Sequence, residues 1–510
     1  MRKPNAVKIV GIIFIICVGA VTSAPAQTFN KLYNFCSQPN CSDGSSPIAG
    51  LAQGTDGAFY GIAGDYGIGE GTIFRISADG HYSALYEFCS QPDCADGIAA
   101  SALLLGKDGD FFGDAGNGGS YTNCSNGCGT LFKMTPEGAF TLLYTFCANQ
   151  SPCPGGAEPV GTLAQAADGN FYGATQSGGI VTMCGGGCGT VFRMTPSGNL
   201  TTLYSFCSLP NCADGAEPLG LVQGANGKLY GITREGGNVN DDYCYALGCG
   251  TVFEISLSGQ LTTLYNFCAQ QSCADGYFPD GPPMQGTDGN LYGTTASGGN
   301  GENAGIAFQI GTNGAFKILY TFCSQQNCND GSLPGPGLIQ GTDGNLYGAT
   351  VSGGGSNHGT AFQLTTSGTL KTLYSFCSQL NCADGSDPQG GLIQATNGSF
   401  YGTTVRGGQS VEVCLSAAPG CGTVFGLSNG LRPFVEAQPT SGKAGSEVLI
   451  LGNELTGTTS VTFNVTPAAF TVISDTLIQA TVPSGGTSGY LRVTTPKEKL
   501  KSNTIFSVMP

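Results

Sequence analysis

One motif, Leu-Tyr-x-Phe-Cys, recurs along most of this 510-residue chain and constrains its fold more than any other feature. The tyrosine of the motif stands at seven positions, which are Tyr33, Tyr86, Tyr144, Tyr204, Tyr265, Tyr320 and Tyr374. Successive tyrosines are 53, 58, 60, 61, 55 and 54 residues apart. Self-similarity at a period of this size is typical of proteins that are built from repeated structural units.

Each unit carries the signals of four short antiparallel strands. An apolar strand, such as residues 220–223, is followed by an Asp-Gly or Asn-Gly turn, which is the strongest short hairpin signal. A second strand with an aromatic-Gly step (291–295) leads through a Gly-Gly loop to a third strand such as 189–194. A Thr-Pro-Ser-Gly turn then precedes a fourth strand, as at 200–206. Four strands per repeat are typical of a β-propeller blade.

The two ends of the repeat region complement each other. The region begins with an unpartnered fourth strand at residues 29–35 and finishes with a third strand at 422–427. The first strand can complete the last unit, which would close a ring and remove exposed sheet edges. We therefore predict an all-β fold, with a seven-bladed β-propeller of four-stranded blades over residues 27–430. The alternative, an open β-solenoid, would not need complementary incomplete ends.

The unit Asp-Gly-Asn-Leu-Tyr-Gly-Thr-Thr-x-x-Gly-Gly, followed by Gly-Thr-Val-Phe and Leu-Tyr-x-Phe, closely resembles the Gloeo/Verruco (GloVer) tandem repeat of exported bacterial proteins. The resemblance covers roughly residues 30–427. It implies an exported repeat protein, and it carries no catalytic residues that could be transferred to this chain.

A second domain is predicted over residues 431–510, because cysteine stops at Cys421 and short alternating strands follow. Strands of this length and spacing over about 80 residues favour a small β-sandwich. The positions Pro439, Gly442, Gly445, 461–463 (Val-Thr-Phe) and 506–508 (Phe-Ser-Val) together resemble an IPT/TIG domain, the immunoglobulin-like module. That resemblance implies a spacer or interaction domain without an active site.

The N-terminus has the pattern of a secretory signal peptide over residues 1–26. Arg2, Lys3 and Lys8 precede an apolar run at residues 9–21, and small residues around Ala26 offer a cleavage point. An uncleaved anchor is the alternative, but the run is shorter than the ~20 residues that span a bilayer. We therefore predict a secreted or cell-surface protein without a membrane span after cleavage.

The 22 cysteines outside the signal segment fall into eleven close pairs of two kinds. The first kind follows a Phe: Cys36/Cys41, Cys89/Cys94, Cys147/Cys153, Cys207/Cys212, Cys268/Cys273, Cys323/Cys328 and Cys377/Cys382. The second kind precedes a Gly-Thr: Cys124/Cys128, Cys184/Cys188, Cys244/Cys249 and Cys414/Cys421. Because an exported chain meets an oxidising compartment, we predict eleven local disulfides and no metal. The alternative is zinc, for which each pair would supply half of a four-ligand site.

Charge and motifs narrow the classes of function. The net charge of −15 becomes −18 once residues 1–26 are removed, which argues against nucleic acid as a partner. Metalloprotease, P-loop and nucleophile-elbow motifs are absent from the sequence, so no cofactor is predicted. An aspartate follows the second cysteine of a pair at six places and could be a calcium ligand, but an Asp-Gly turn is the simpler interpretation of this set. Its members are Asp43, Asp96, Asp214, Asp275, Asp330 and Asp384. The tyrosines of the aromatic-Gly step are expected to pack between units instead of forming a sugar platform.

Two columns of the repeat vary where the rest is strict. The column before the Gly-Gly loop reads Asp65, Asn117, Ser177, Glu235, Ser297, Ser352 and Arg406. The column after the Asp-Gly turn reads Ser46, Ala99, Glu158, Glu217, Phe278, Leu333 and Asp387. We take the ionisable and amide members as candidate ligand-binding residues, namely Asp65, Asn117, Glu158, Glu217, Glu235, Asp387 and Arg406.

Two interpretations of function follow from these columns. The first is a non-catalytic propeller that binds glycans or proteins outside the cell or at its surface. The second is a glycan-active hydrolase or lyase, in which two of Asp65, Glu158, Glu217 and Glu235 act as acid and base. Convergence of two carboxyl groups in one pocket would favour the second interpretation. The sequence leaves the oligomeric state and the identity of the partner open.

Overall fold

A computed structural model of the chain describes residues 27–64, 71–119, 124, 126–147, 153–180, 184–238, 243–244, 247–299, 302–408 and 420–509. The predicted signal peptide, residues 1–26, lies outside the described residues. Within these ranges no helix has the length and apolar character needed to cross a membrane.

Short antiparallel strands build the repeat region, and the prediction of an all-β fold is confirmed. Within the described residues, strands β1 to β30 form seven sheets of four or five strands each. In chain order these strands are β1 (Thr28–Asn34), β2 (Ala52–Gln53), β3 (Phe59–Ala63), β4 (Thr72–Ile76), β5 (Tyr82–Glu87), β6 (Ile98–Leu105), β7 (Phe111–Asn117), β8 (Thr130–Met134), β9 (Phe140–Thr145), β10 (Ala157–Gln165), β11 (Phe171–Ser177), β12 (Thr190–Met194), β13 (Leu200–Ser205), β14 (Ala216–Gln223), β15 (Leu229–Glu235), β16 (Thr251–Ile255), β17 (Leu261–Asn266), β18 (Tyr277–Pro279), β19 (Met284–Gln285), β20 (Leu291–Ser297), β21 (Ile306–Ile310), β22 (Phe316–Thr321), β23 (Ser332–Pro334), β24 (Ile339–Gln340), β25 (Leu346–Ser352), β26 (Thr360–Leu364), β27 (Leu370–Ser375), β28 (Ile393–Gln394), β29 (Phe400–Thr404) and β30 (Thr423–Ser428).

We number the sheets along the chain. Sheets 1 to 7 contain β2–β5, β6–β9, β10–β13, β14–β17, β18–β22, β23–β27, and β28–β30 together with β1. The first strand is interrupted in sheets 5 and 6, where β18 and β19 both pair with β20, and β23 and β24 both pair with β25. Prolines at 282–283 and at 336 stand in these gaps, and a proline has no N–H to continue a strand ladder.

The N-terminal strand belongs to the last sheet. β1 pairs antiparallel with β30, from Thr28 opposite Ser428 to Asn34 opposite Thr423. Sheet 7 therefore takes its fourth strand from the beginning of the chain, as the complementary ends of the repeat region predict. We call each loop that is closed by the cysteine pair after a fourth strand a clip. Within the described residues, the 3-10 turns of the clips lie at Pro39–Cys41, Pro92–Cys94, Pro210–Cys212, Gln271–Cys273, Gln326–Cys328 and Leu380–Cys382.

The aromatic-Gly step makes room for a phenylalanine on the neighbouring strand. Gly293 on β20 lies opposite Phe308 on β21, and a Cβ atom at Gly293 would come within 2.5 Å of the Phe308 ring. Phe308 is 1% exposed. The glycine is thus required because a bulky ring of the core crosses over its Cα atom.

The C-terminal domain is a sandwich of two sheets. Its strands are β31 (Glu436–Gln438), β32 (Ser441–Lys443), β33 (Glu447–Leu451), β34 (Ser460–Phe463), β35 (Thr466–Pro467), β36 (Phe470–Val472), β37 (Leu477–Thr481), β38 (Gly489–Thr494) and β39 (Lys499–Met509). One sheet has the order β31-β33-β37-β36 and the other has the order β32-β39-β38-β34-β35. Val448, Ile450, Val461, Leu491 and Phe506 are among the buried side chains between them. The alternating apolar residues of these strands supply this core.

Candidate functional site

The two ends of the sheets form two different surfaces. The Asp-Gly and Asn-Gly hairpins between the first and second strands lie at one end of every sheet, which we call the hairpin surface. The cysteine pairs and the Gly-Gly loops lie at the opposite end, which we call the clip surface. The described members of both variable columns belong to the clip surface.

Local disulfides tie down the clip surface. The structure joins ten of the eleven predicted pairs: Cys36/Cys41, Cys89/Cys94, Cys124/Cys128, Cys147/Cys153, Cys184/Cys188, Cys207/Cys212, Cys244/Cys249, Cys268/Cys273, Cys323/Cys328 and Cys377/Cys382. Cys421 is also disulfide-bonded, and its predicted partner Cys414 lies outside the described residues. A cysteine in a disulfide has no thiolate to offer zinc.

The aspartates that follow the clips are hydrogen-bond acceptors for the clip itself. Oδ2 of Asp214 accepts from the Tyr204 hydroxyl (2.8 Å) and from the amide and hydroxyl of Ser208 (both 2.9 Å), while Oδ1 accepts from the Leu209 amide (3.2 Å). Asp43, Asp96, Asp330 and Asp384 repeat this arrangement, and Asp275 repeats it without the hydroxyl bond, because Ala269 replaces the serine; all six are at most 1% exposed. Their oxygens are engaged, so they do not form a calcium site.

The tyrosines of the aromatic-Gly step are packing residues. Tyr60, Tyr172, Tyr230, Tyr292, Tyr347 and Tyr401 are between 0% and 6% exposed. The Tyr172 hydroxyl, for example, donates to Asp168 in its own hairpin at 2.8 Å. A buried ring whose hydroxyl is already bonded leaves no face on which a sugar could stack.

The two variable columns meet side by side within each of sheets 2 to 7. In sheet 3, Ser177 Oγ donates to Glu158 Oε2 at 2.7 Å. In sheet 4, Ala216 lies opposite Glu235, which places Glu217 beside it. Asn117 lies opposite Ile98, beside the small side chain of Ala99. Asp65 lies outside the described residues.

Asp387 in sheet 7 is engaged by two cationic or basic partners. Arg406 Nη1 donates to Asp387 Oδ2 at 3.0 Å, and His358 Nδ1 lies 3.2 Å from Asp387 Oδ1. Asp387 is 9% exposed, whereas Arg406 is exposed. The pair therefore presents a positive group at the surface, held in place by a buried carboxylate.

The column after the Asp-Gly turn has a shared and unusual backbone. All seven members, Ser46, Ala99, Glu158, Glu217, Phe278, Leu333 and Asp387, have φ between 47° and 57°. This left-handed region costs roughly 1–2 kcal/mol for a residue with a Cβ atom. Six of the seven donate their backbone amide to a carbonyl of the preceding sheet, as Glu217 does to Cys188 at 3.0 Å. The backbone is thus the same in every sheet, and the side chains that it presents differ.

The candidate carboxylates are spread over sheets 3, 4 and 7. Within the described chain, Glu217 and Glu235 are the two candidate carboxylates that share a sheet. Burial raises the pKa of Glu235 above its usual value, the charge of Glu217 adds to the rise, and Arg234 opposes it. Glu158 and Asp387 have their own partners, as described above, and do not join this pair.

Two acids whose carboxyl pKa is raised to about 7 by burial were not found from the sequence. Asp114 is 1% exposed, its Oδ2 accepts from Ser101 at 2.6 Å, and its Oδ1 has no partner in the described chain. Burial raises the pKa of Asp114 to about 7. The sequence does contain a signal for Asp114, because the corresponding position is uncharged in every other sheet. Those residues are Ile62, Ala174, Ile232, Thr294, Ala349 and Thr403. Glu436, the second acid, lies outside the repeat region, so it has no counterparts with which to compare it. Its burial depends on how the C-terminal domain packs on the repeat sheets.

The C-terminal domain is bonded to the hairpin surface. Its side chains reach five sheets through Thr476 to Thr55 (2.7 Å), Gln438 to Leu105, Ser441 to Gln223 (3.1 Å), Asn503 to Gln340 (2.6 Å) and Asn453 to Thr396 (2.7 Å). The domain therefore covers the hairpin surface, while the variable columns lie at the other end of the sheets.

Comparison with known proteins gives a family and a set of distant structures. The chain is similar to a luciferin-regenerating enzyme (11% identity, TM-score 0.39, covering 66% of this chain and 93% of that one). It is also similar to the PQQ-bound aldose sugar dehydrogenase of Streptomyces coelicolor (13% identity, TM-score 0.38, covering 79% of this chain and 99% of that one). A Bacteroides thetaiotaomicron protein of unknown function is similar at 11% identity with a TM-score of 0.40, and the match covers 79% of this chain and 76% of that one.

A search of curated protein sequences finds no match to this chain. The sequence profile of the IPT/TIG domain matches residues 434–507, which is the sandwich described above. The profile of the Gloeobacter/Verrucomicrobia repeat matches in four overlapping segments, at residues 11–245, 125–328, 185–416 and 284–465. The chain therefore belongs to the Gloeobacter/Verrucomicrobia repeat family and carries an IPT/TIG domain at its C-terminal end.

Proposed function

We propose that the seven repeat sheets are the blades of one closed β-propeller, and that the exported protein binds a glycan or another protein on its clip surface without catalysing a reaction. The observation that carries this proposal is the left-handed column, where an invariant backbone presents a different side chain in each sheet. A rigid frame with variable side chains is the arrangement that binding surfaces use.

Contacts between the first and last sheets support the closed ring. The Thr396 amide of sheet 7 donates to Gln53 Oε1 of sheet 1 at 3.0 Å. The same link joins consecutive sheets elsewhere, for example from Thr342 to Gln394 at 3.0 Å. At the clip surface, the Ser46 amide donates to the Cys421 carbonyl at 2.7 Å, as its counterparts do along the chain.

The test uses the mature secreted chain on a glycan array and on an array of extracellular bacterial proteins. We expect one class of ligand to bind, and binding to weaken more than tenfold when Glu217→Gln, Glu235→Gln and Arg406→Ala are combined. The matched control is Glu137→Gln, an exposed acid of the turn before β9 on the hairpin surface. Absence of any ligand, or equal binding by the triple variant, would contradict the proposal.

A hydrolase or lyase is the second candidate, and the Glu217–Glu235 pair favours it. The raised pKa of Glu235 beside a second carboxylate is the difference that an acid and base pair needs. The measurement is release of reducing ends from a panel of polysaccharides. Turnover that is lost in Glu235→Gln and kept in Glu158→Gln would establish this candidate and overturn the non-catalytic proposal.

A further inference from the structure

The C-terminal domain encloses a cavity of about 810 Å³ against the hairpin surface. Six of the seven sheets contribute to its wall, through residues such as Leu51, Leu103, Val222, Met284 and Ile339. The volume lies within the ~300–1,000 Å³ that is usual for small-molecule sites. The cavity is separate from the clip surface, because it lies at the other end of the sheets.

The wall of the cavity is largely apolar, and its amide groups are already engaged. In Gln340, Oε1 accepts from the Thr287 amide at 2.8 Å and Nε2 donates to the Gly344 carbonyl at 2.9 Å. Gln53, Gln285 and Gln394 make the same pair of bonds in their sheets. The body of a ligand in this cavity must therefore be apolar, since few polar groups are free to receive it.

Glu436 on β31 brings one carboxyl group into this apolar wall. The Glu436 side chain is partly buried and forms part of the cavity lining. Glu436 has no hydrogen-bond or ion-pair partner among the described residues. Burial alone raises the pKa of the Glu436 carboxyl to about 7.

The ionisable residues that line the cavity are acidic. Asp288 is the other ionisable residue of the lining in the described chain, and it accepts hydrogen bonds from Tyr292 (2.6 Å) and Asn290 (2.8 Å). No Lys, Arg or His of the described chain lines the cavity. An unpartnered buried carboxylate is costly, and a cation that enters the cavity would remove that cost.

Sheet 5 differs from the other sheets that line the cavity in its contacts with the C-terminal domain. The hydrogen bonds of the C-terminal domain reach sheets 1, 2, 4, 6 and 7 in the described chain. The hairpin of sheet 5, with Thr287 and Gly289, lines the cavity without such a bond. Thr504 and Ser507 of β39 also line the cavity.

We propose that this cavity binds a small organic amine, with its apolar body against the leucines and isoleucines of the sheets and its ammonium group on the Glu436 carboxylate. Because binding needs the ionised carboxylate, affinity falls about tenfold per pH unit below pH 7. The ligand chemistry differs from that of the clip surface, so either proposal can fail alone.

The test is calorimetric titration of the full mature protein with cyclohexylamine and phenethylamine at pH 8 and pH 5.5. Cyclohexanol and cyclohexanecarboxylate are the neutral and anionic probes of the same shape. We expect the amines to bind at pH 8, more weakly at pH 5.5, and better than either matched probe. Glu436→Gln should weaken amine binding by roughly tenfold to a hundredfold, the value of a charge-assisted hydrogen bond.

Glu447→Gln is the matched control, because Glu447 is an exposed acid on β33 of the same domain. It should leave amine binding unchanged. Leu103→Phe, which narrows the cavity, should weaken binding of the amines and of cyclohexanol alike. Equal amine binding by Glu436→Gln and the parent protein, or binding of neither amine at pH 8, would overturn the proposal.

Discussion

The ring of Phe29 stacks on the ring of Tyr374, with centroids 3.9 Å apart and planes 5° from parallel. The two residues are 345 positions apart in the sequence, yet their contact repeats one that neighbouring sheets make along the chain. Its counterparts are Tyr82 on Tyr33 (4.2 Å), Phe140 on Tyr86 (4.1 Å) and Phe316 on Tyr265 (4.0 Å). The N-terminal strand thus packs as an ordinary member of the sheet series.

Phe29→Ala should loosen the N-terminal strand. A fully buried Phe→Ala change costs about 3–5 kcal/mol, and Phe29 is half-buried, so we expect a loss of about 2 kcal/mol. The measurement is denaturant unfolding with the disulfides intact, together with the rate at which a protease cuts within β1. Phe140→Ala removes the same stack between sheets 1 and 2 and is the control. It should lower stability similarly without exposing β1, and equal cutting of β1 in both variants would contradict the expectation.

The tyrosines of the Leu-Tyr-x-Phe-Cys motif differ in one respect that can be measured. Tyr204 donates to the buried Asp214, whereas Tyr144 of sheet 2 has no hydrogen-bond partner in the described chain. Tyr204→Phe should cost about 1.5 kcal/mol, because it removes a hydrogen bond to a charged group. Tyr144→Phe should change stability by less than about 0.5 kcal/mol. Thermal unfolding of the two variants checks this, and equal losses would refute the role of Asp214.

The same hydrogen bonds give a pH dependence at alkaline pH. Burial, reinforced by the neighbouring Asp214, raises the pKa of Tyr204 to about 12, against about 10 in an unfolded chain. A phenol whose pKa is raised in the folded state contributes stability below pH 10 and loses it as pH rises towards 12. Unfolding curves between pH 8 and pH 11.5 should therefore fall steeply for the parent protein and less steeply for Tyr204→Phe. Parallel curves would contradict this assignment.

The repeat order, the hairpins and the sandwich could be predicted because each has a local signal. Asp-Gly and Asn-Gly turns mark the hairpins, and the paired cysteines mark the clips. The left-handed column has no such signal. Phe278, Leu333 and Glu217 are not residues that favour positive φ, and the conformation is imposed by the hydrogen bond to the preceding sheet.

The hydrogen-bonding role of Asp214 and the burial of Glu436 could not be predicted from the sequence, for a different reason. The role of Asp214 as an acceptor for Tyr204 requires that the clip fold back onto the fourth strand, which spacing alone does not encode. Glu436 alternates with apolar residues in a short strand, so periodicity predicts an exposed side chain. Its burial results from the packing of one domain on another, and strand patterns contain no information on that contact.

Leu333→Gly should stabilise the protein, against the usual effect of such a change. Leu333 has φ of 53° and is 42% exposed, so a glycine relieves backbone strain and gives up little burial. We expect a gain of about 0.5 kcal/mol in the free energy of unfolding. Leu380→Gly is the control, because Leu380 is 86% exposed and lies outside the positive-φ positions. It should lose about 0.5 kcal/mol, and a loss of that size in Leu333→Gly would exclude backbone strain in this column.

Glu436 should make the protein less stable as pH rises through neutrality. The pKa of its carboxyl is about 7 in the folded protein and near 4.3 in an unfolded chain, so the folded state holds an extra proton between these values. Stability is then highest below about pH 4.5 and declines until the group is ionised above pH 7. After allowance for the part of the side chain that faces the cavity, we expect a loss of roughly 2 kcal/mol.

Glu436→Gln removes this loss, because the amide carries no charge at any pH. The variant should unfold at a higher temperature than the parent protein at pH 8. This difference in unfolding temperature, the gap, should shrink to zero towards pH 4.5. Asp114 titrates in the same range but is present in both proteins, so its contribution cancels. Glu447→Gln, at an exposed position of the same domain, should show no gap that varies with pH. A constant gap in Glu436→Gln would mean that the carboxyl stays ionised in the folded protein, and that the cavity already satisfies its charge.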